Sequence, residues 1–390
     1  MTYLKSNQDS DCCGCTACEQ ICPRSCIRMS ENSEGFLYPV VDSRRCIQCG
    51  LCEKVCPIEN YQRVSQNDVC YYGWHRESKI REMSTSGGAF AAIAQALKKK
   101  GFIHFYGAVY DDDFSVHHVD ILNFKRLDLI CGSKYTQSRM DNVYSDVKRN
   151  LYKGEKVAFC GTPCQVDGLK KYIKNEDDNL FLIALVCHGV SSPKAYSKYL
   201  SELERTRGTK IKSVKFRDKR RSNALASATT IEFENQTVIS TTDNEYTTAF
   251  GIGVMDRESC YHCPYSSPAG AGDITIGDFW GIEKEKPELN SEIPNGISLM
   301  IPHTIKAEEL IKMLKEIMII EKVPLTYAMN EKQPQLTKPL NRPWRRNFFL
   351  KRVLLHDCSF HREAQKAIFE WKIRERVKRC FRRIALNWIR

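Results

Sequence analysis

Two runs of cysteine leave the first sixty residues little conformational freedom. "CCGCTACEQICP" (12–23) sets Cys12, Cys15, Cys18 and Cys22 at C-x2-C-x2-C-x3-C, with Pro23 directly after. "CIQCGLCEKVCP" (46–57) repeats those intervals with Cys46, Cys49, Cys52 and Cys56, closed by Pro57. Three thiolates two residues apart can wrap one face of an iron–sulfur cubane, while the fourth points away and ligates a second cluster. The spacing therefore predicts one [4Fe-4S] cluster on Cys12, Cys15, Cys18 and Cys56. A second falls to Cys46, Cys49, Cys52 and Cys22. Structural zinc sites show pairs of C-x2-C rather than two tetrads ending in Cys-Pro. Cys13 and Cys26 lie outside the pattern and read as non-ligand thiols beside the clusters.

Nineteen cysteines would suggest disulfides in a short secreted chain, but this sequence opens "MTYLKSNQDSD", with no apolar signal core. Its longest apolar run, "LFLIALVC" (180–187), is too short to span a bilayer and reads as a buried strand. Cluster thiolates also need a reducing compartment, so the cytoplasm is the expected location. The net charge is +12, of which residues 341–390 carry +11. Residues 1–62 hold six basic and eight acidic side chains. A nearly neutral body with a basic tail does not fit a nucleic-acid-binding protein.

The 390 residues suffice for two or three domains. After the second cysteine run, "YQRVSQNDV" (61–69) reads as a polar linker. "STSGGAFAAIAQALKKKG" (84–101) then reads as a glycine turn opening a helix that stops at Gly101. Its exposed amides can hold an electron-rich group, and the glycines permit close approach. Strand and helix alternate from there: "FIHFYGAVY", "MDNVYSDVKRNLYKG", "KVAFC", "QVDGLKKYIK", "LFLIALVC" and "PKAYSKYLSELERTRG". "IEFENQTVIS", "DITIGDFWG" and "SLMIPHT" add strands in the second half. The alternation predicts an α/β core with an at least partly parallel sheet.

Three stretches are unusual for a scaffold alone. "CGTPCQ" (160–165) is a strand-to-helix turn ending in cysteine, "CHG" (187–189) ends the next strand, and "CYHC" (260–263) precedes "DITIGDFWG". Ligands of α/β sheets bind outside strand ends. Cys164, Cys187, Cys260 and Cys263 are thus candidates for a third metal site, for a cluster or for zinc. The alternative is that they are buried small apolar residues.

"STSGGAF", "GSKYTQS", "KVAFCGTPCQVDGL", "LVCHGVSSP" and "CYHCPY…DITIGDFW" occur in this order and resemble the beta-subunit family of coenzyme F-420 hydrogenase and dehydrogenase. That family includes F-420-reducing hydrogenase beta subunits, F-420H2 oxidases and 7-hydroxymethyl chlorophyll a reductases. The resemblance covers residues 70–305. It implies a third [4Fe-4S] cluster on Cys164, Cys187, Cys260 and Cys263, and an FAD contacted by Ser86, Gly87, Gly88, Lys134, Tyr135, Ser138 and Thr162. Two departures concern the substrate end. "PYSSPAGAG" lacks the arginine that members often place before "DITIGD", and "FRDKRRSNA" lacks a following Gly-Trp.

The expected architecture is a two-cluster ferredoxin-type domain (1–62) followed by an α/β flavin- and [4Fe-4S]-binding domain in two regions (70–155 and 156–325), then a basic helical tail (340–390). The expected function is electron transfer between a ferredoxin-like carrier and an organic substrate or deazaflavin-type acceptor through the clusters and FAD. Its alternatives are an electron-input subunit of a larger redox complex with no substrate of its own, and a cluster-based redox sensor. Similar bacterial chains accompany cell-surface polysaccharide synthesis genes, which associates the substrate with that chemistry. Lys134 is the candidate for charge near the flavin, and His188 reads as a hydrogen-bond donor beside a ligand cysteine. No residue is assigned a catalytic role.

The tail "HREAQKAIFEWKIRERVKRCFRRIALNWIR" places Ala364, Ile368, Trp371, Phe381, Ala385 and Trp388 near one helical face among arginines. Such a helix can lie on an anionic membrane at the inner face or pack on the protein. Deleting residues 361–390 is expected to leave folding and cofactors intact.

Overall fold

The structure is a computed structural model that describes residues 2–62, 68–174, 178–222 and 228–388, with side chains through 381. The N-terminal module holds an antiparallel hairpin of β1 (Ile27–Glu31) and β2 (Leu37–Val41), in register Ile27 to Val41. Short helices Ala17–Gln20 and Leu51–Lys54 follow the two cysteine loops. Both loops are curled the same way. Gly14 and Gln48, which occupy equivalent positions, have φ of +72° and +53°, as Thr16 and Gly50 have +65° and +70°. The curl turns backbone amides inward, so Gly14 N donates to Cys12 Sγ and Gln48 N to Cys46 Sγ, each at 3.4 Å. The duplicated sequence thus makes a duplicated cradle.

The body is built on β3 (Val69–His75), β4 (His104–Tyr110), β5 (Val116–Asp120), β6 (Val157–Gly161), β7 (Leu180–Leu185), β8 (Ile211–Asp218), β9 (Ala228–Phe233), β10 (Val238–Thr241), β11 (Ile274–Asp278), β12 (Ser298–Pro302) and β13 (Met318–Pro324). Eight strands form one sheet in the order β13-β3-β12-β11-β7-β6-β4-β5. The central run β11-β7-β6-β4 is parallel and its flanks are antiparallel. This is the partly parallel α/β core expected from the alternation. Strands from 70–155 and from 156–325 share it.

Helices Ala89–Lys99 and Ile305–Leu314 cover one sheet face, burying Ile93, Leu97, Leu310 and Leu314 against Phe105 and Ile183. On the other face, helices Val143–Tyr152 and Pro163–Ile173 pack with Phe159 and Leu182. Cys13, Cys15, Ala17 and Val55 of the N-terminal module belong to this same apolar cluster, so module and body share a core. Continuous apolar burial fixes the module's position over the strand ends.

One contact secures the junction. Arg257 is fully buried, and its guanidinium donates to Cys12 O (2.7 Å), Leu37 O (2.8 Å) and Gln137 Oε1 (3.0 Å) while lying 4.2 Å from the centre of the Tyr38 ring. Arg346 adds a bidentate pair with Glu34 at 2.8 and 2.7 Å.

A second sheet, β10-β9-β8, packs with helices Pro193–Arg207 and Glu245–Gly251 and with the tail. The final helix, Phe360–Trp388, begins as core: Phe360, Ala364 and Ala367 are buried with Tyr199, Tyr246 and Phe349. Buried Glu363 pairs with Arg352 and Lys366. Beyond it, Phe369, Ile373, Val377 and Phe381 are exposed at four-residue intervals. Ala385 and Trp388 lie outside the described side chains. Among the described residues no helix is long and apolar enough to cross a membrane.

The truncation expectation therefore changes, because the helix start is structural. Ending the chain after Ser359 should cost about 4 kcal/mol or more, from lost core side chains. Ending it after Lys372 should change stability by no more than about 1 kcal/mol. Thermal melts of the two truncations check this.

Candidate metal centres and the adjoining cavity

The eight cysteines of the duplicated motif gather as two crossed sets. Burial pushes the Cys18 thiol well up, and the neighbouring Cys12 and Cys56 push it further. Cys56 is raised in the same way by burial and then by Cys12. Cys15, hydrogen-bonded to Cys13 and buried, feels Cys56 and Cys18. Cys56 thus stands with the first loop, although its sequence neighbours form the second. Cys22 crosses the other way: with Cys46, Cys49 and Cys52 it lines a cavity of about 350 Å³. Cys26 lines the same cavity, 3.3 Å from Cys22 Sγ to Sγ.

The four dispersed cysteines also converge. Burial raises Cys187, with Cys164 and Cys263 adding to it. Burial lifts Cys263 to about 11, with Cys164 next. Cys260 is pushed well up by burial, then by Asp256, Cys187 and Cys263. Cys164 opens the helix Pro163–Ile173, which Thr162 caps reciprocally with Gln165. Cys187 follows β7, and Cys260 and Cys263 sit on a 3-10 turn just after Arg257.

Between two of these sets lies Cys13. It is buried and hydrogen-bonded to both Cys15 and Cys164, so it joins the first set to the dispersed one. Among the described residues no group of three or more His, Cys, Asp or Glu is arranged for a single metal ion. A [4Fe-4S] cluster takes its four thiolates at separate irons, and all-cysteine sets suit that chemistry.

A cavity of about 370 Å³ opens beyond Cys187, which lines it. Small-molecule and cofactor sites run from about 300 to 1,000 Å³. It sits at the carboxyl ends of β6, β7 and β11, where Gly161, Leu185 and Asp278 line it. Of the residues singled out for flavin contact, Ser86, Gly88, Lys134, Tyr135, Ser138 and Thr162 line the cavity. Gly87 lies directly behind its wall. A Cβ there would meet Gly73 O at 2.5 Å and Ser298 N at 2.7 Å, so only glycine lets the loop lie against the sheet. Gly88, at φ +96°, caps the helix Ala89–Lys99 and leaves its first amides toward the cavity.

Lys134 is tied down by its own loop, donating to Cys131 O (3.2 Å) and Gly132 O (3.3 Å), and burial lowers its pKa to about 8. His188 lines the cavity, but its Nδ1 faces Gln335 Nε2 at 3.4 Å; this places it toward the pocket rather than serving a cysteine. His118, stacked on Phe159 at 5.4 Å, is held neutral by burial, with a pKa of about 4. His118 Nδ1 and Gln335 Oε1 are buried without a protein partner, which leaves polar groups for a bound molecule to satisfy.

Two cationic residues of this wall were not singled out from sequence. Arg217 sits where β8 slips register against β9, at φ +58°, and the bulge turns it into the cavity. Its guanidinium grips Asp278, with Nη2 to Oδ1 at 2.9 Å, and lies 5.0 Å from the Trp280 ring centre. Lys219 donates to Arg81 O, Ser86 O and Asn295 O at 2.6 to 2.8 Å, bracing the Ser86 loop from behind. "FRD" was the available signal for Arg217. Nothing in the local pattern pointed to Lys219.

Crossed thiol sets in an N-terminal module, placed over the strand ends of an α/β body, define an iron–sulfur electron-transfer protein of oxidoreductase type. Residues 11–60 match a 4Fe-4S dicluster domain, and residues 154–327 belong to the family described as the C terminus of the coenzyme F420 hydrogenase/dehydrogenase beta subunit. A chain of the F420-reducing [NiFe] hydrogenase complex from Methanosarcina barkeri is similar at 16% identity, over 72% of this chain and 98% of that one, with a TM-score of 0.47. No curated protein matches the chain.

Proposed function

We propose that the protein is an iron–sulfur flavoprotein oxidoreductase that moves electrons between a low-potential carrier of ferredoxin type and an organic substrate or deazaflavin-type acceptor. The observation that carries this reading is the double position of Cys187, which belongs to the dispersed thiol set and also lines the cavity. The two motif sets would hold two [4Fe-4S] clusters, and Cys164, Cys187, Cys260 and Cys263 a third. Residues 1–62 act as the input module, the 70–155 and 156–325 regions as the two parts of the body, and 340–390 as its helical tail.

FAD is the group that the cavity suits. Ser86, Gly87 and Gly88 would bring the helix N-terminus to its phosphates, with Lys134 and Arg217 as nearby cations. Tyr135, Ser138 and Thr162 would border the remainder. A flavin there would supply the exchange between single-electron and two-electron chemistry that clusters lack. The chain's part is to orient that group beside Cys187 and to keep His118 and His188 neutral at its edge.

Protein purified without oxygen should release about one FAD per chain on denaturation, alongside about twelve irons, four for each [4Fe-4S] cluster. Full iron content with no flavin, after gentle purification, would overturn the flavoprotein reading and leave a pure relay.

A further inference from the structure

We propose that the face of the N-terminal module around Cys49 is the docking site for a small acidic electron-carrier protein. The proposal rests on the electron-transfer function above and assigns its partner end. Cys49 is exposed, unlike the buried Cys15 of the first set. Beside it Ile47 is 59% exposed, and on the adjoining hairpin Val40 and Val41 are 45% and 37% exposed. An apolar centre over a redox group is the part of an interface that a partner would cover.

The rim is cationic, although residues 1–62 carry more acidic than basic side chains. The module separates its charges. Glu34 is turned to the body and bonded to Arg346, and Asp9 lies in the field of Arg257 and Arg346. Glu19 accepts from Met29 N within the module. At the other end Arg24, Arg28, Arg44 and Arg45 are all exposed. Arg24 lines the cavity of the second thiol set, Arg45 donates to Arg24 O at 2.9 Å, and Arg28 stands opposite Val40 in the hairpin. Asp42 and Glu53, the carboxylates nearest this rim, are each paired with a cation, Arg44 and Lys5.

Arginines around an apolar patch complement a carrier whose surface carboxylates ring its own redox group. Such complementarity raises encounter rates and orients the partner. In the forward direction one electron leaves the reduced carrier, the protein takes it up at this end, and the carrier departs oxidised by one electron. Release to the carrier is the same step reversed.

The test uses the holoprotein and a reduced acidic [2Fe-2S] ferredoxin, followed by anaerobic stopped-flow spectroscopy. Wild-type protein should be reduced with a rate that falls about tenfold or more as salt rises, since screening acts on exposed charges. R44E/R45E should lower the low-salt rate by about tenfold or more, with R44Q/R45Q intermediate. Reduction by dithionite, iron content and the K378Q/R379Q control should all match wild type. Equal rates for wild type and R44E/R45E at low salt would overturn the proposal. So would arginine-dependent binding of this face to an oligonucleotide or to anionic vesicles with no binding of the ferredoxin. If the ferredoxin binds in an arginine-dependent manner but no electron is transferred, the docking assignment stands and the electron-transfer function falls.

Discussion

Exchanging Cys260 and Cys263 for serine is expected to lower the iron content from about twelve to about eight per chain, the loss of one [4Fe-4S] cluster. The effect should be confined because these two cysteines meet only Cys187 and Cys164 among the proposed ligands, while the crossed motif sets stand in the other module. The electron paramagnetic resonance signal of the two-cluster module should persist. Reduction of a cavity-bound flavin by a protein carrier should be lost, since Cys187 is the proposed ligand that lines the cavity. Unchanged iron in the double variant would rule out a third cluster. Loss of all iron would show instead that the dispersed set supports the whole molecule.

Alanine at Arg257 is expected to cost on the order of 3–5 kcal/mol. The side chain supplies the donors for Cys12 O and Leu37 O across the junction, and its removal leaves buried carbonyls without them. It also vacates the space against Tyr38 and Phe36. Arg257→Lys should fall between, because an ammonium keeps the charge but not the planar fork that reaches three acceptors at once. Thermal melting with iron analysis of the melted and unmelted fractions provides the check. A wild-type midpoint in Arg257→Ala would mean that apolar packing of Cys13, Ala17 and Val55 holds the junction alone.

What could be read from the sequence follows how local each feature is. The paired cysteine loops were fully legible, because spacing alone determines the curl that Gly14 and Gln48 adopt. The helix after Gly88 and the parallel strands β4, β6 and β7 were legible from glycine punctuation and apolar runs. The dispersed cysteines needed a family resemblance, since nothing local distinguishes Cys164 from a buried small residue. Arg217 and Arg257 were not assigned roles. The first depends on a β-bulge that brings it to Asp278, and the second on a partner module more than two hundred residues away. "VCYYGWH" was not counted as a strand, yet β3 sits inside the large sheet, where late strands flank it on both sides.

That placement of β3 sets an order of events during synthesis. Its partners β12 and β13 are made more than two hundred residues later, so the large sheet remains open on this side until nearly the whole body has left the ribosome. The N-terminal module needs no such wait, since all eight of its motif cysteines lie within the first 56 residues. N-terminal units fold first as chains emerge at roughly 5–20 residues per second. Its thiols are therefore available for metal many seconds before Cys263 exists. The chain can be charged with iron at one end while the other is still being written, and the body then closes around a module already finished.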